Sequence, residues 1–140
     1  MSHKVTTVWK EKMIFESDNP SGYSFNLGVS EEENDPYKSL RPKAAMLSSL
    51  AACSGLDVVS VTEKMKTEFS DFKIEVSGEL TDEHPKTYHT VTVDYHFYGK
   101  DLNEKKIKKA VDLSIEKYCG VMEMFRQFAT VNTKIHYHSI

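Results

Sequence analysis

The chain has 140 residues, with 18 Lys and Arg against 21 Asp and Glu for a net charge of −3, a size that fits one domain with a buried core. Apolar residues at 39% and charged residues at 28%, with 6 Gly and 4 Pro, exclude a disordered or fibrous chain. Both signs of charge are scattered, so no basic patch marks a nucleic-acid or anionic-membrane partner; no secretory leader and no apolar run near the ~20 residues of a membrane span are read, which points to the cytoplasm.

Val5, Thr7 and Trp9 alternate with polar residues, and a second extended run, 13–15, follows Lys10 to Lys12, so the chain opens as a hairpin. Residues 17–22 contain Asn19-Pro20 and Gly22 and form a turn. Tyr23, Phe25, Leu27 and Val29 then alternate with Ser24, Asn26, Gly28 and Ser30, which predicts a third strand with one buried face. Residues 30–40 carry the acidic run 31–33, Asp35 and Pro36 and read as a solvated loop.

At Pro42 the character changes. Residues 47–62 hold no Lys, Arg or Glu and a single acid, Asp57, which predicts a buried central helix packed on most sides, against a sheet and a partner subunit. Pro42 suits its first turn, and Glu63, Lys64 and Lys66 mark its far end.

Phe72, Ile74, Val76, Gly78 and Leu80 alternate with polar residues, residues 81–86 turn, and residues 88–98 form a long strand with Val91, Val93, Tyr95 and Phe97 on one face. The two strands are expected to pair as a hairpin. Asn103 suits the cap of a helix whose Ile107, Ala110, Val111 and Ser114 share one face. Gly120 interrupts, residues 121–128 make a short helix, and residues 130–138 close the chain as a strand. Three strands, a helix, two strands, two helices and a strand are segregated rather than alternating, which gives an α+β fold with a mostly antiparallel sheet. No Gly-rich phosphate-binding turn is present.

Two cysteines, Cys53 and Cys119, lie 66 positions apart, too few for a disulfide scaffold and without the C-x-x-C spacing of a zinc site. By count alone they are either inert core thiols or a working pair. His136 and His138 share a strand face, and His89 and His96 lie on opposite faces of another strand; with no cysteine or suitably spaced acid beside them, they read as surface histidines.

The segment 41–58, RPKAAMLSSLAACSGLDV, is a Pro-led, Leu- and Ala-rich helix in which Cys53 is followed by Ser54, Gly55, Leu56 and Asp57. It resembles the peroxidatic-cysteine helix of the OsmC/Ohr family. Residues 116–121, EKYCGV, resemble that family's second-cysteine motif, and the element order agrees along nearly the whole chain. The resemblance implies an OsmC-like α+β fold, an intertwined homodimer with an apolar pocket at the interface, and an organic hydroperoxide as substrate. In this reading Cys53 is peroxidatic, Cys119 is resolving, an external dithiol is the reductant, and no metal or flavin is needed.

The sequence departs from the family at one position. The family holds an activating Arg with a Glu ten residues before the cysteine, and here that position is Lys43. The two arginines are Arg41 and Arg126, and Arg41, at the helix mouth, is the candidate cation. Lys43, Leu50, Asp57, Met122 and Phe125 make up the candidate substrate-binding set. Asp57, at i+4 from Cys53, opposes thiolate formation by its charge; as a structural residue it would be tied to backbone or to Tyr118. Two alternatives stand beside the peroxidase: a non-enzymatic binder of a small apolar ligand at the dimer interface, which Lys43 favours, and a thiol redox sensor.

Overall fold

A computed structural model describes residues 1–30 and 33–140. Glu31 and Glu32, most of the acidic run read as a solvated loop, lie outside the described residues. Contacts divide the chain into two compact units, Met1–Met46 and Leu47–Ile140.

In the first unit β1 (Thr7–Glu11), β2 (Ile14–Asp18) and β3 (Ser24–Gly28) form an antiparallel sheet in that order. The β1–β2 register is offset by a bulge between Trp9 and Glu11, and Lys12 in the turn takes φ 48°. At the end of β3, Gly28 is required: a Cβ there would lie 2.0 Å from the Met13 carbonyl oxygen. The three strands match the expected elements, but β3 does not gain the buried face its alternation predicted. Phe25 is exposed, as are Trp9 (63%) and Phe15 on the neighbouring strands. An alternating pattern reports a face built to be covered; it does not say that the same chain covers it.

In the second unit β4 (Asp71–Leu80) and β5 (Tyr88–Gly99) form the expected antiparallel hairpin, and β6 (Thr130–Ser139) pairs with β5 in parallel. A parallel pair needs a long crossover. It is supplied by α2 (Glu104–Leu113), a π-helical turn over Ser114–Tyr118, and α3 (Gly120–Arg126). The Asn103 side chain accepts from the Lys106 N–H, capping α2 as expected. The π-helical turn was not expected, because one wider turn leaves the 3.6-residue spacing of the apolar positions almost unchanged.

The central helix α1 (Pro42–Lys64) starts in the first unit and runs through the second. Leu50 and Val58 of α1, the Val91, Val93, Tyr95 and Phe97 face of β5, Ile107 and Val111 of α2, and Met122 and Phe125 of α3 make one core. Phe97 stacks on Phe72 at 4.4 Å and meets Phe69 edge-on at 5.3 Å.

Within the single chain α1 is packed on one side, the sheet side of the expected cover. It buries only the stripe Leu50, Ser54, Val58 and Thr62, while Leu56 is 72% exposed and Val59 is open. Four residues apart on a helix is one face. The lack of charge over residues 47–62 reports a surface unsuited to water, not the identity of its cover. By length and composition alone α1 is also long and apolar enough to cross a membrane. Its buried stripe is docked on the sheet like that of a core helix.

Candidate functional site

Cys53 lies on α1, half-buried and packed against the core, one residue before the buried Ser54. Cys119 comes from the far side of the sequence. The π-helical turn ends on it, with Cys119 N–H donating to the Ser114 carbonyl at 2.8 Å. Its backbone is extended, at φ −80° and ψ 101°, and its Sγ caps α3 by accepting from the Met122 N–H at 3.3 Å. Only 3% of Cys119 is exposed. The two thiols are both free and pack into the same core. Burial pushes the Cys119 thiol up to about 11; the Met122 N–H favours the thiolate, while Cys53 and the Asp57 charge oppose it.

Beside the thiols runs a buried chain of hydroxyls. Tyr95 Oη lies 2.6 Å from Ser54 Oγ, Ser54 Oγ lies 2.8 Å from Ser114 Oγ, and Ser114 Oγ donates to Asp57 Oδ2 at 3.0 Å. Ser54, Tyr95 and Ser114 are all fully buried. Burial pushes the Tyr95 phenol up to about 12, with Cys119 and Asp57 adding to the effect. The sequence reading placed Tyr95 and Ser114 on apolar faces and missed their connection. A signal was present: polar atoms at core positions on three elements must find partners, and the cheapest are one another. Among the described residues Asp57 accepts from Ser114, and Tyr118 shares with it a cavity of about 440 Å³ also lined by Ser60, Val61, Lys64 and Leu113.

The remaining candidates are dispersed. Arg41 immediately precedes α1 and Lys43 is its second residue; both are exposed, and the first turn of α1 contains no acid. Arg126 is held by Glu123 through Nε at 3.0 Å and Nη2 at 2.8 Å, which holds the Glu123 carboxyl below its ordinary value. Leu50, Met122 and Phe125 are buried in the core. An open, mostly apolar groove instead runs over Ala51, Ala52, Gly55, Leu56, Val59, Phe72 and Ile74, with Lys73 its one charged residue.

The histidines correct another reading. His96, His136 and His138 do not stand separately in solvent: His96 Nδ1 lies 2.9 Å from His138 Nε2, His96 stacks on His136 at 4.4 Å, and Tyr98 stacks on His138 at 4.5 Å. Glu75 and Asp94 accept from His96 and His136 at 2.9 and 2.8 Å. The parallel register brings these residues side by side on the sheet face opposite the helices. Among the described residues no group of three or more His, Cys, Asp or Glu is arranged to hold a metal ion.

Comparison with known proteins bears on the whole chain. The family model described as OsmC-like protein matches residues 34–134. Protein YhfA of Escherichia coli strain K12 is 28% identical over 123 residues, covering 88% of this chain and 89% of that protein. A crystal structure from Aquifex aeolicus VF5 superposes with a TM-score of 0.87 at 27% identity, over 100% of this chain and 98% of that one. The organic hydroperoxide resistance protein OhrB of Bacillus subtilis shares the fold, with a TM-score of 0.66 at 19% identity over 96% of this chain and 98% of that one.

Proposed function

The chain belongs to the OsmC-like protein family, and on that premise we propose that it is a thiol peroxidase acting on organic hydroperoxides through Cys53 and Cys119. The observation that carries this reading is the meeting of two free thiols, 66 residues apart in sequence, in one core, one half-buried on α1 and one capping α3.

The chemistry balances with one external reductant. The Cys53 thiolate attacks the peroxide, an S–O bond forms as the O–O bond breaks, and the alkoxide leaves with a proton as the alcohol. Cys119 then attacks the sulfenic sulfur, a disulfide forms, and water departs with the Cys119 proton. An external dithiol is oxidised as it returns both cysteines to thiols. Cys53 is the fitting first nucleophile, because Cys119 is buried and held strongly as the thiol. Arg41 is the cation this reading assigns to the Cys53 thiolate.

The same reading makes the protein a cytoplasmic homodimer. The exposed Leu56 and Val59 and the apolar groove beside them support a second copy covering α1. The test is hydroperoxide loss in the presence of a dihydrolipoyl-type dithiol. Sustained loss that vanishes in Cys53→Ser is the expected result; no loss from fully reduced protein would refute it.

A second reading has its own observation. Lys43 in place of the family's acid leaves the first turn of α1 without a carboxylate to fix an arginine. A dimer that lacks turnover but binds a small apolar ligand in the α1 groove would fit that departure.

A further inference from the structure

Ser114 is hydrogen-bonded in two directions at once. Its carbonyl accepts from the Cys119 N–H at 2.8 Å, the bond that closes the π-helical turn. In an α-helix that carbonyl would accept from Tyr118; the wider turn passes it to Cys119, where the chain leaves the helix at ψ 101°. The side chain of the same serine faces α1. Ser114 Oγ lies 2.8 Å from Ser54 Oγ and 3.3 Å from the Ser54 carbonyl oxygen, and it donates to Asp57 Oδ2 at 3.0 Å. Ser54 directly follows Cys53, and Asp57 lies one helical turn beyond Cys53. Ser54 and Ser114 are fully buried, so water does not compete for these contacts.

The apolar contacts between α1 and the crossover set a distance more than a register. Leu50 and Val58 share a core with Ile107, Val111 and Met122, and such contacts are non-directional. Hydrogen bonds have narrow distances and angles, so three α1 oxygens around one hydroxyl fix how the two segments stand against each other. A disulfide demands that kind of register, because its length, dihedral and Cβ separation are narrow and departures store strain. We propose that Ser114 is a positioning residue for the thiol pair: its carbonyl holds the Cys119 backbone, its hydroxyl holds the turn of α1 that follows Cys53, and together they set the register in which the two sulfurs meet. Removing the hydroxyl leaves both thiols in the chain and loosens their mutual geometry, so the cost falls on the oxidised pair. This inference rests on reading Cys53 and Cys119 as a working pair, but its test uses no peroxide, so the failure of one is distinguishable from the failure of the other.

The test equilibrates the full chain with reduced and oxidised glutathione at a series of ratios and measures the Cys53–Cys119 disulfide by alkylation and mass spectrometry. Each protein disulfide formed reduces one glutathione disulfide to two thiols, so the ratio at half-oxidation gives the equilibrium constant. Ser114→Ala is expected to lower that constant about tenfold, the scale of a lost buried anchor, which raises the reduction potential by about 30 mV. Asp57→Ala, which takes away one acceptor, raises the potential as well. Asp57→Asn keeps an acceptor oxygen for the Ser114 hydroxyl and restores the original potential. Gly78→Ala on β4, where the new Cβ meets the Tyr88 ring, lowers the urea midpoint and leaves the potential unmoved, which separates register from general stability. An unchanged potential in Ser114→Ala, an equal rise in Gly78→Ala, or an Asp57→Asn shift as large as that of Asp57→Ala would overturn the proposal. Unaltered protein that forms no disulfide at any ratio would overturn the reading of the pair, and this inference with it.

Discussion

The Cys119 thiol ties stability to pH, and the sign is fixed by its burial. Its value in the folded chain is raised from 9.0 to about 11. Below pH 9 the thiol is protonated in both the folded and unfolded chain and stability does not depend on it. Between 9 and about 11 the unfolded chain gives up the proton while the folded chain retains it, so stability falls as pH rises through that window. Two units at about 1.4 kcal/mol each give a loss of about 3 kcal/mol. Cys119→Ser removes the titration and keeps an acceptor for the Met122 N–H. Urea unfolding at a series of pH values from 7 to 11 is the assay, read as the difference between the two proteins. Titrating groups that do not interact with Cys119 cancel in that difference. The two curves are expected to converge by about 3 kcal/mol from pH 9 to 11. Parallel curves would refute the claim that Cys119 is held as a buried thiol.

Other positions give independent checks. Phe97→Ala removes a fully buried ring that stacks on Phe72 and is expected to cost about 3–5 kcal/mol by denaturant unfolding. Asn103→Ala deletes the α2 cap and is expected to cost about 1 kcal/mol, visible as a lower urea midpoint. Gly78→Ala places a Cβ 2.6 Å from the Tyr88 ring, so Tyr88 must shift, and a loss of about 1–3 kcal/mol is expected in the same assay.

Periodicity carried most of the fold. The alternation from Phe72 to Val76 and from Val91 to Phe97 marks the inner face of the β4–β5 hairpin, and Ile107, Ala110, Val111 and Ser114 are the buried face of the crossover. Local signals of this kind depend on neighbours a few residues away, so they survive in the sequence. What covers a face is not local. Trp9, Phe25 and Leu56 carry the marks of burial and yet are exposed within the chain.

The site divides in the same way. Cys53 and Cys119 were singled out by motif from separate segments, and both pack into one core. The Asp57–Ser114–Ser54–Tyr95 chain was not legible, because its members lie on α1, β5 and the π-helical turn, and only their packing makes them one network. The histidine stack was hidden by register: His96 meets His136 only because β5 and β6 run parallel.

The central claim is that Cys53 and Cys119 react as a pair, and mass spectrometry of the reduced protein after one equivalent of an organic hydroperoxide tests it directly. The expected product is a Cys53–Cys119 disulfide, a loss of two hydrogens located by peptide mapping, with Cys53 trapped as an oxidised single thiol in Cys119→Ser. Two unmodified thiols after the peroxide, in protein that remains folded, would contradict it.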